Sequence, residues 1–143
     1  MRLVLDTNIL ISACWSPGGL EAELIRRTLS GEFTWCLTEA VLAEYRDVAR
    51  RPKFADRAEC FRQMLADLAQ AVLVTPGPRV AAAADEDDNR LLECATGARA
   101  DWLITGNLRH FPVVWQGTRI ANARQFFTEA LGRPPRESPS AGP

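Results

Sequence analysis

Three acids and one amide occupy positions where chemistry could use them: Asp6, Glu44, Asp88 and Asn107. Asp6 closes the apolar run Arg2-Leu3-Val4-Leu5, whose character is that of a strand buried on both faces of a parallel sheet. Thr7-Asn8-Ile9-Leu10-Ile11 then changes period, so Asp6 stands at a strand-to-helix switch. Open α/β sheets bind ligands outside the carboxyl ends of their strands, which makes an acid there a site residue. An ordinary helix N-cap wants the same residue in the same place, and Asp6 taken alone supports both readings.

The other acids are placed by helical phase. In a helix over residues 39–51, Val41, Leu42, Tyr45, Val48 and Ala49 form the apolar stripe, and Glu44 lies on its border, half inward. In the run Asp85-Glu86-Asp87-Asp88-Asn89, the helix macrodipole explains an acid or two at a helix start. It does not explain direction: Asp88 shares a face with Leu91, Leu92 and Ala95 and points inward, Asp87 sits at the edge of that face, and Glu86 faces out. Asp85 and Asp87 are therefore outer helpers to Asp88. Asn107 follows the apolar strand Trp102-Leu103-Ile104-Thr105 as Asp6 follows the first strand. If those two strands are neighbours, both residues share one edge of the sheet.

The chemistry such a cluster allows is narrow. Two carboxylates about 4 Å apart repel by roughly 4 kcal/mol at an effective dielectric of 20, so three of them require proton sharing or a cation. The chain has one histidine, His110, and four cysteines with no close pair, Cys14, Cys36, Cys60 and Cys94, which read as reduced, mostly buried thiols. A metal here would be held by oxygen, favouring Mg²⁺ or Mn²⁺ over zinc. The formal charge of −1 excludes bulk electrostatic coating of nucleic acid but leaves room for a local basic groove. Arg46, Arg50, Arg51 and Lys53 fall close together, and Arg109 and His110 follow the strand at 102–105 as phosphate contacts.

The elements that must position these residues alternate, strand then helix, along the 143 residues, which predicts one α/β domain with helices on both faces of a mostly parallel sheet. Strands are expected at 2–5, 33–37, 72–74, 102–105 and 119–121, and helices at 20–29, 39–51, 54–71, from 88 and at 123–130. The domain is expected to span 1–131. Residues 132–143, with four prolines and no apolar stripe, form an unstructured tail. No apolar run suits a bilayer or a signal peptide, so a cytoplasmic protein without membrane partners is expected.

Four segments in order, LDTN at 5–8, LAEY at 42–45, DEDDNRLLECA at 85–95 and WLITGN at 102–107, resemble the PIN-domain nucleases, in particular the VapC-like toxin ribonucleases of bacterial toxin–antitoxin pairs. The resemblance implies a three-layer α/β/α PIN-like fold with about five strands, a Mg²⁺- or Mn²⁺-dependent endoribonuclease, RNA as substrate, a homodimer and a cognate antitoxin. It implies that Asp6 and Asp88 are metal ligands and that Glu44 is a ligand or a water-orienting base. Thr7, Asn8 and Thr105 would support them by hydrogen bonds. Where many members carry a further aspartate this chain has Asn107, whose amide oxygen can coordinate but brings no charge. The alternative is a catalytically weak PIN-like module that binds RNA or an antitoxin. A receiver or dehalogenase-type phosphotransfer domain fits less well, since Asp6-Thr7-Asn8 lacks the second acid and the only lysine is Lys53.

Overall fold

The computed structural model describes Met1–Gly132. All but the first residue of the expected tail lies outside the described residues. Six strands form one sheet: β1 (Arg2–Leu5), β2 (Thr34–Leu37), β3 (Val72–Leu73), β4 (Trp102–Ile104), β5 (Val114–Trp115) and β6 (Thr118–Ala121). Their order is β3-β2-β1-β4-β6-β5, parallel throughout except that β5 runs antiparallel to β6. The central strands β1 and β4 are buried along almost their whole length, as a parallel sheet covered on both faces requires.

Helices α1 (Thr7–Trp15), α2 (Leu20–Leu29), α3 (Glu39–Ala49), α4 (Ala58–Asp67), α5 (Glu86–Ala98) and α6 (Ala123–Leu131) complete the fold. α3 is capped by the Thr38 hydroxyl, which accepts from the Val41 amide, and α6 by a reciprocal Asn122–Gln125 capping box. Beneath α6, Phe126 packs edge-on against Phe33, Trp102 and Phe127 with centroids 5.3 to 5.7 Å apart.

Three expectations are corrected. The helix expected over 54–71 is a 3₁₀ turn (Pro52–Arg57), α4, and a second 3₁₀ turn (Leu68–Gln70). The tightened first turn leaves Phe54 buried against Phe61, at 5.6 Å between centroids. The sheet gains a sixth strand, β5, a two-residue edge too short to leave a period in the sequence. It is formed by a hairpin whose turn, Gln116-Gly117, has both φ angles positive. Cys14 and Cys60 are joined in a disulfide between α1 and α4, with Cα atoms 5.8 Å apart, whereas Cys36 and Cys94 are free and buried. Their separation of 46 residues carries no sign of this pairing, which only the packing of α4 on α1 creates. Among the described residues no helix is long and apolar enough to cross a membrane.

The long connection from β3 to α5 is held down by two glycines. A Cβ on Gly97 would stand 1.9 Å from the Thr75 carbonyl oxygen, and one on Gly77 would stand 2.6 Å from the Thr96 methyl. The Gly77 amide donates to the Glu93 carbonyl (2.9 Å), and the buried Glu93 carboxylate accepts from the Val80 amide (2.8 Å) and pairs with Arg90 (2.9 Å). Gly97→Ala should therefore lower stability by about 2 kcal/mol, because forcing the connection off α5 outweighs the ~1 kcal/mol that alanine adds within a helix. Urea unfolding monitored by tryptophan fluorescence measures this, and an unchanged or raised midpoint would contradict the close packing.

Candidate active site

β1 and β4 are neighbours, paired Leu5 to Ile104, and the Asp6 amide donates to the Ile104 carbonyl (2.9 Å), so both strand ends reach the same edge. Asp6 precedes α1 in an extended conformation, but its side chain makes no capping hydrogen bond to that helix. Its Oδ2 instead accepts from the Thr105 hydroxyl (2.8 Å) and from the Asn8 amide nitrogen (3.3 Å). Thr105 is the hub of this edge, since its Oγ1 also accepts from the Asn107 amide (3.0 Å) and from Asn8 Nδ2 (3.4 Å). Asn8 Oδ1 accepts from the Gly106 amide (2.9 Å), which fixes the orientation of its side-chain amide. The support expected of Thr7, Asn8 and Thr105 thus comes from Asn8 and Thr105 across nearly a hundred residues of sequence. From behind, the buried Tyr45 hydroxyl donates to the Leu5 carbonyl and accepts from Trp35 Nε1 (3.3 Å).

A cavity of about 330 Å³ opens at this edge. It is lined by Asp6, Thr7 and Asn8 from α1, Glu44 from α3, Asp85, Asp87 and Asp88 from the start of α5, and Asn107 and His110 from the segment after β4. Thr105 lies fully buried beneath, and Arg109 is exposed and not part of the lining. Asp85 is the N-cap of α5, accepting from the amides of Asp87 (2.8 Å) and Asp88 (3.4 Å), so its role is to start the helix that aims Asp88 inward. His110 Nδ1 lies 3.2 Å from Asp88 Oδ2. Arg51, one of the four clustered cations noted in the sequence, has its guanidinium at the cavity wall beside Glu44, whereas Arg90, which also lines the cavity, was not singled out. Arg51 lies seven residues, two helical turns, after Glu44.

The acids act on one another. Burial raises the Asp6 pKa above the usual carboxylate range, and the Thr105 hydroxyl, the Thr7 and Asn8 amides and His110 draw it back only in part. Asp88 is pushed up to about 6 by burial and then by the charges of Asp6 and Asp85, with His110 opposing. Glu44 is pushed up to about 7 by burial and by Asp87, while Arg51 opposes. The cluster thus divides into a buried pair, Asp6 with Asp88, and a second pair, Glu44 with Asp87. Among the described residues no three His, Cys, Asp or Glu side chains stand close enough together to enclose an ion.

A parallel sheet with an acid-lined cavity at its carboxyl edge defines an α/β protein whose site lies where such folds place ligands. The family model described as "PIN domain" matches residues 2–109, and the chain belongs to the PIN-domain family, a family of nucleases. Among solved structures, the chain is similar to the crystal structure of VapBC2 from Rickettsia felis bound to a DNA fragment from their promoter. The TM-score is 0.59 at 15% sequence identity, covering 85% of this chain and 98% of that one. None of the curated proteins compared with the chain matches it.

These shifts set a pH dependence for the metal-free protein. Asp6, Glu44 and Asp88 all have folded pKa values above their ordinary ones. In the window between, the folded state binds more protons than the unfolded state, so stability is greatest below about pH 4 for these groups and is lost as pH rises through about 6 to 7. In EDTA, Asp88→Asn should flatten this dependence and raise the melting temperature at pH 8 by roughly 4 °C, equivalent to about 1 kcal/mol. Thermal melts at pH 5.5 and pH 8 measure it, and a variant less stable than wild type at pH 8 would mean that Asp88 is a structural partner rather than a strained acid.

Proposed function

We propose that this chain is a divalent-metal-dependent endoribonuclease and the toxin of a toxin–antitoxin pair. The observation that carries the reading is the buried pair Asp6 and Asp88 at the carboxyl edge of the sheet, with the charge of Asp6 raising the cost of a charge on Asp88. A protein keeps such a pair when a cation offsets it. The donor set fits a hydrated Mg²⁺ or Mn²⁺ rather than a caged ion, because magnesium binds through one or two carboxylates and retains several waters. Asp6 and Asp88 would hold it, with the Asn107 amide oxygen as a further neutral donor. When bound, the ion supplies an acidified water and offsets charge developing on the phosphate.

The chain's own residues do the remainder. Thr105 and Asn8 fix one carboxylate oxygen of Asp6, Oδ2. Glu44, with a pKa of about 7, is poised to take a proton from an attacking water near neutral pH. His110, beside Asp88 at the mouth, can donate to a phosphate oxygen of RNA, and Arg109 is exposed next to it. The toxin assignment, the homodimer and the antitoxin partner rest on the resemblance in the four motif segments and on the likeness of fold to VapBC2.

One observation favours a second reading. Glu44 pairs with Asp87 rather than with Asp6 and Asp88, and Asn107 supplies no charge, as in a weakened PIN-like module that binds RNA or an antitoxin. Purified wild type should cut unstructured RNA with Mn²⁺ and not with EDTA. Asp6→Asn and Asp88→Asn should each lower kcat by about 10²-fold or more, a typical loss for one electrostatic or proton-transfer group. Metal-independent cleavage, or full activity in both variants, overturns the enzyme reading. An inactive wild type that binds RNA without carboxylate-dependent Mn²⁺ heat in calorimetry establishes the second.

A further inference from the structure

The cavity presents three basic side chains, and they differ in what already holds them. Arg90 is largely buried and is held by Glu93 at 2.9 Å, with the Val80 carbonyl at 3.4 Å. His110 rests on Asp88. Arg51 is different: its guanidinium is half-exposed, 3.2 Å from Asp47 and 3.9 Å from Glu44. Among the described residues both contacts are made by Nη2. Nη1 makes neither contact, and a phosphate that displaces them would meet the two-donor face that Nη1 and Nη2 share.

The backbone aims this side chain. α3 ends at Ala49, Arg50 closes the turn, and Pro52 restricts the residue before it to an extended conformation, which Arg51 adopts at φ −68° and ψ 133°. The side chain consequently folds back along α3 onto the face that carries Glu44. The next cation, Lys53, lies over the Phe54 ring and is exposed, so positive charge continues past Arg51 along the chain. The acids at the start of α5, in contrast, repel a polyanion.

Building on the ribonuclease reading, we propose that Arg51 grips the phosphate next to the scissile one, so that single-stranded RNA leaves the cavity across the junction of α3 and the 3₁₀ turn at Pro52. Its contacts with Asp47 and Glu44 hold the guanidinium at the rim before substrate arrives. Asp47 is exposed and Glu44 stands 3.9 Å away, so a phosphate can displace both contacts. Arg51 is thus a substrate-binding residue that selects the path of the strand, and it carries no proton in the reaction.

The test reads binding apart from cleavage. Labelled unstructured RNA is bound to the Asp6→Asn protein in Mn²⁺ across a series of KCl concentrations, followed by fluorescence anisotropy. Adding Arg51→Ala should weaken binding about 10-fold at low salt and reduce the slope of log K against log[salt] by about 0.7, the loss of one contact to a single strand. Arg51→Lys should restore the slope while recovering only part of the affinity. Arg62→Ala, which removes an exposed cation of α4 paired with Glu59 and outside the cavity, should alter the slope by much less. In the otherwise unaltered enzyme, assayed at about pH 9 so that losing the guanidinium that opposes the rise of the Glu44 pKa does not change its ionisation, Arg51→Ala should raise KM while leaving kcat within about 3-fold, the pattern of lost uniform binding. Equal slopes for Arg51→Ala and Arg62→Ala, or a fall in kcat at constant KM, would overturn the assignment. The two ideas fail separately: a wild type that cuts no RNA sinks the ribonuclease, whereas the salt slope still decides whether Arg51 touches phosphate.

Discussion

The Asp6 carboxylate is almost completely buried where β1 meets α1, and the rest of the edge is built to hold it there. A buried charge must be paired, neutralised or hydrogen-bonded. Among the described residues the hydrogen-bond partners of the Asp6 carboxylate are a hydroxyl and a side-chain amide, neither of which carries a charge. These contacts orient the group and soften its desolvation without neutralising it. Its charge in turn helps push the pKa of Asp88 up.

The scaffold compensates with hydrogen bonds that tie the elements of this edge together. Thr105 uses its hydroxyl as donor and acceptor at once, and Tyr45 ties the end of β1 to α3 through the Leu5 carbonyl. The Glu93–Arg90 pair, with the Val80 amide as a further donor, fixes the connection that delivers α5 to the sheet edge. Asp85 then begins that helix by capping it, so the helix start aims Asp88 inward, where its carboxylate meets His110. The acids are strained while the frame around them is rigid, the arrangement expected of a preorganised site.

This division also explains the asymmetry of the cavity. The α5 rim carries acids in its first turn, where the helix macrodipole favours them. The α3 rim ends in Arg50 and Arg51 and passes into Pro52 and Lys53, so the two walls have opposite character although both carry an acid toward the centre.

Sequence alone determined what local periodicity can encode. The β1, β2 and β4 cores, the inward phase of Asp88, the border position of Glu44 and the Asn122 cap all follow from spacings of two to seven residues. The order of strands did not follow, because β1 lies between β2 and β4 only through crossovers that no short window contains. On that order rest the meeting of Asp6 with Thr105, the pairing of Glu44 with Asp87 rather than with Asp6, the contact of His110 with Asp88, and the joining of Cys14 to Cys60. Periodicity fixes the face a residue presents to the interior; which distant residue it meets there is decided by packing, whose contacts are set by shape and burial and leave no repeat in the chain.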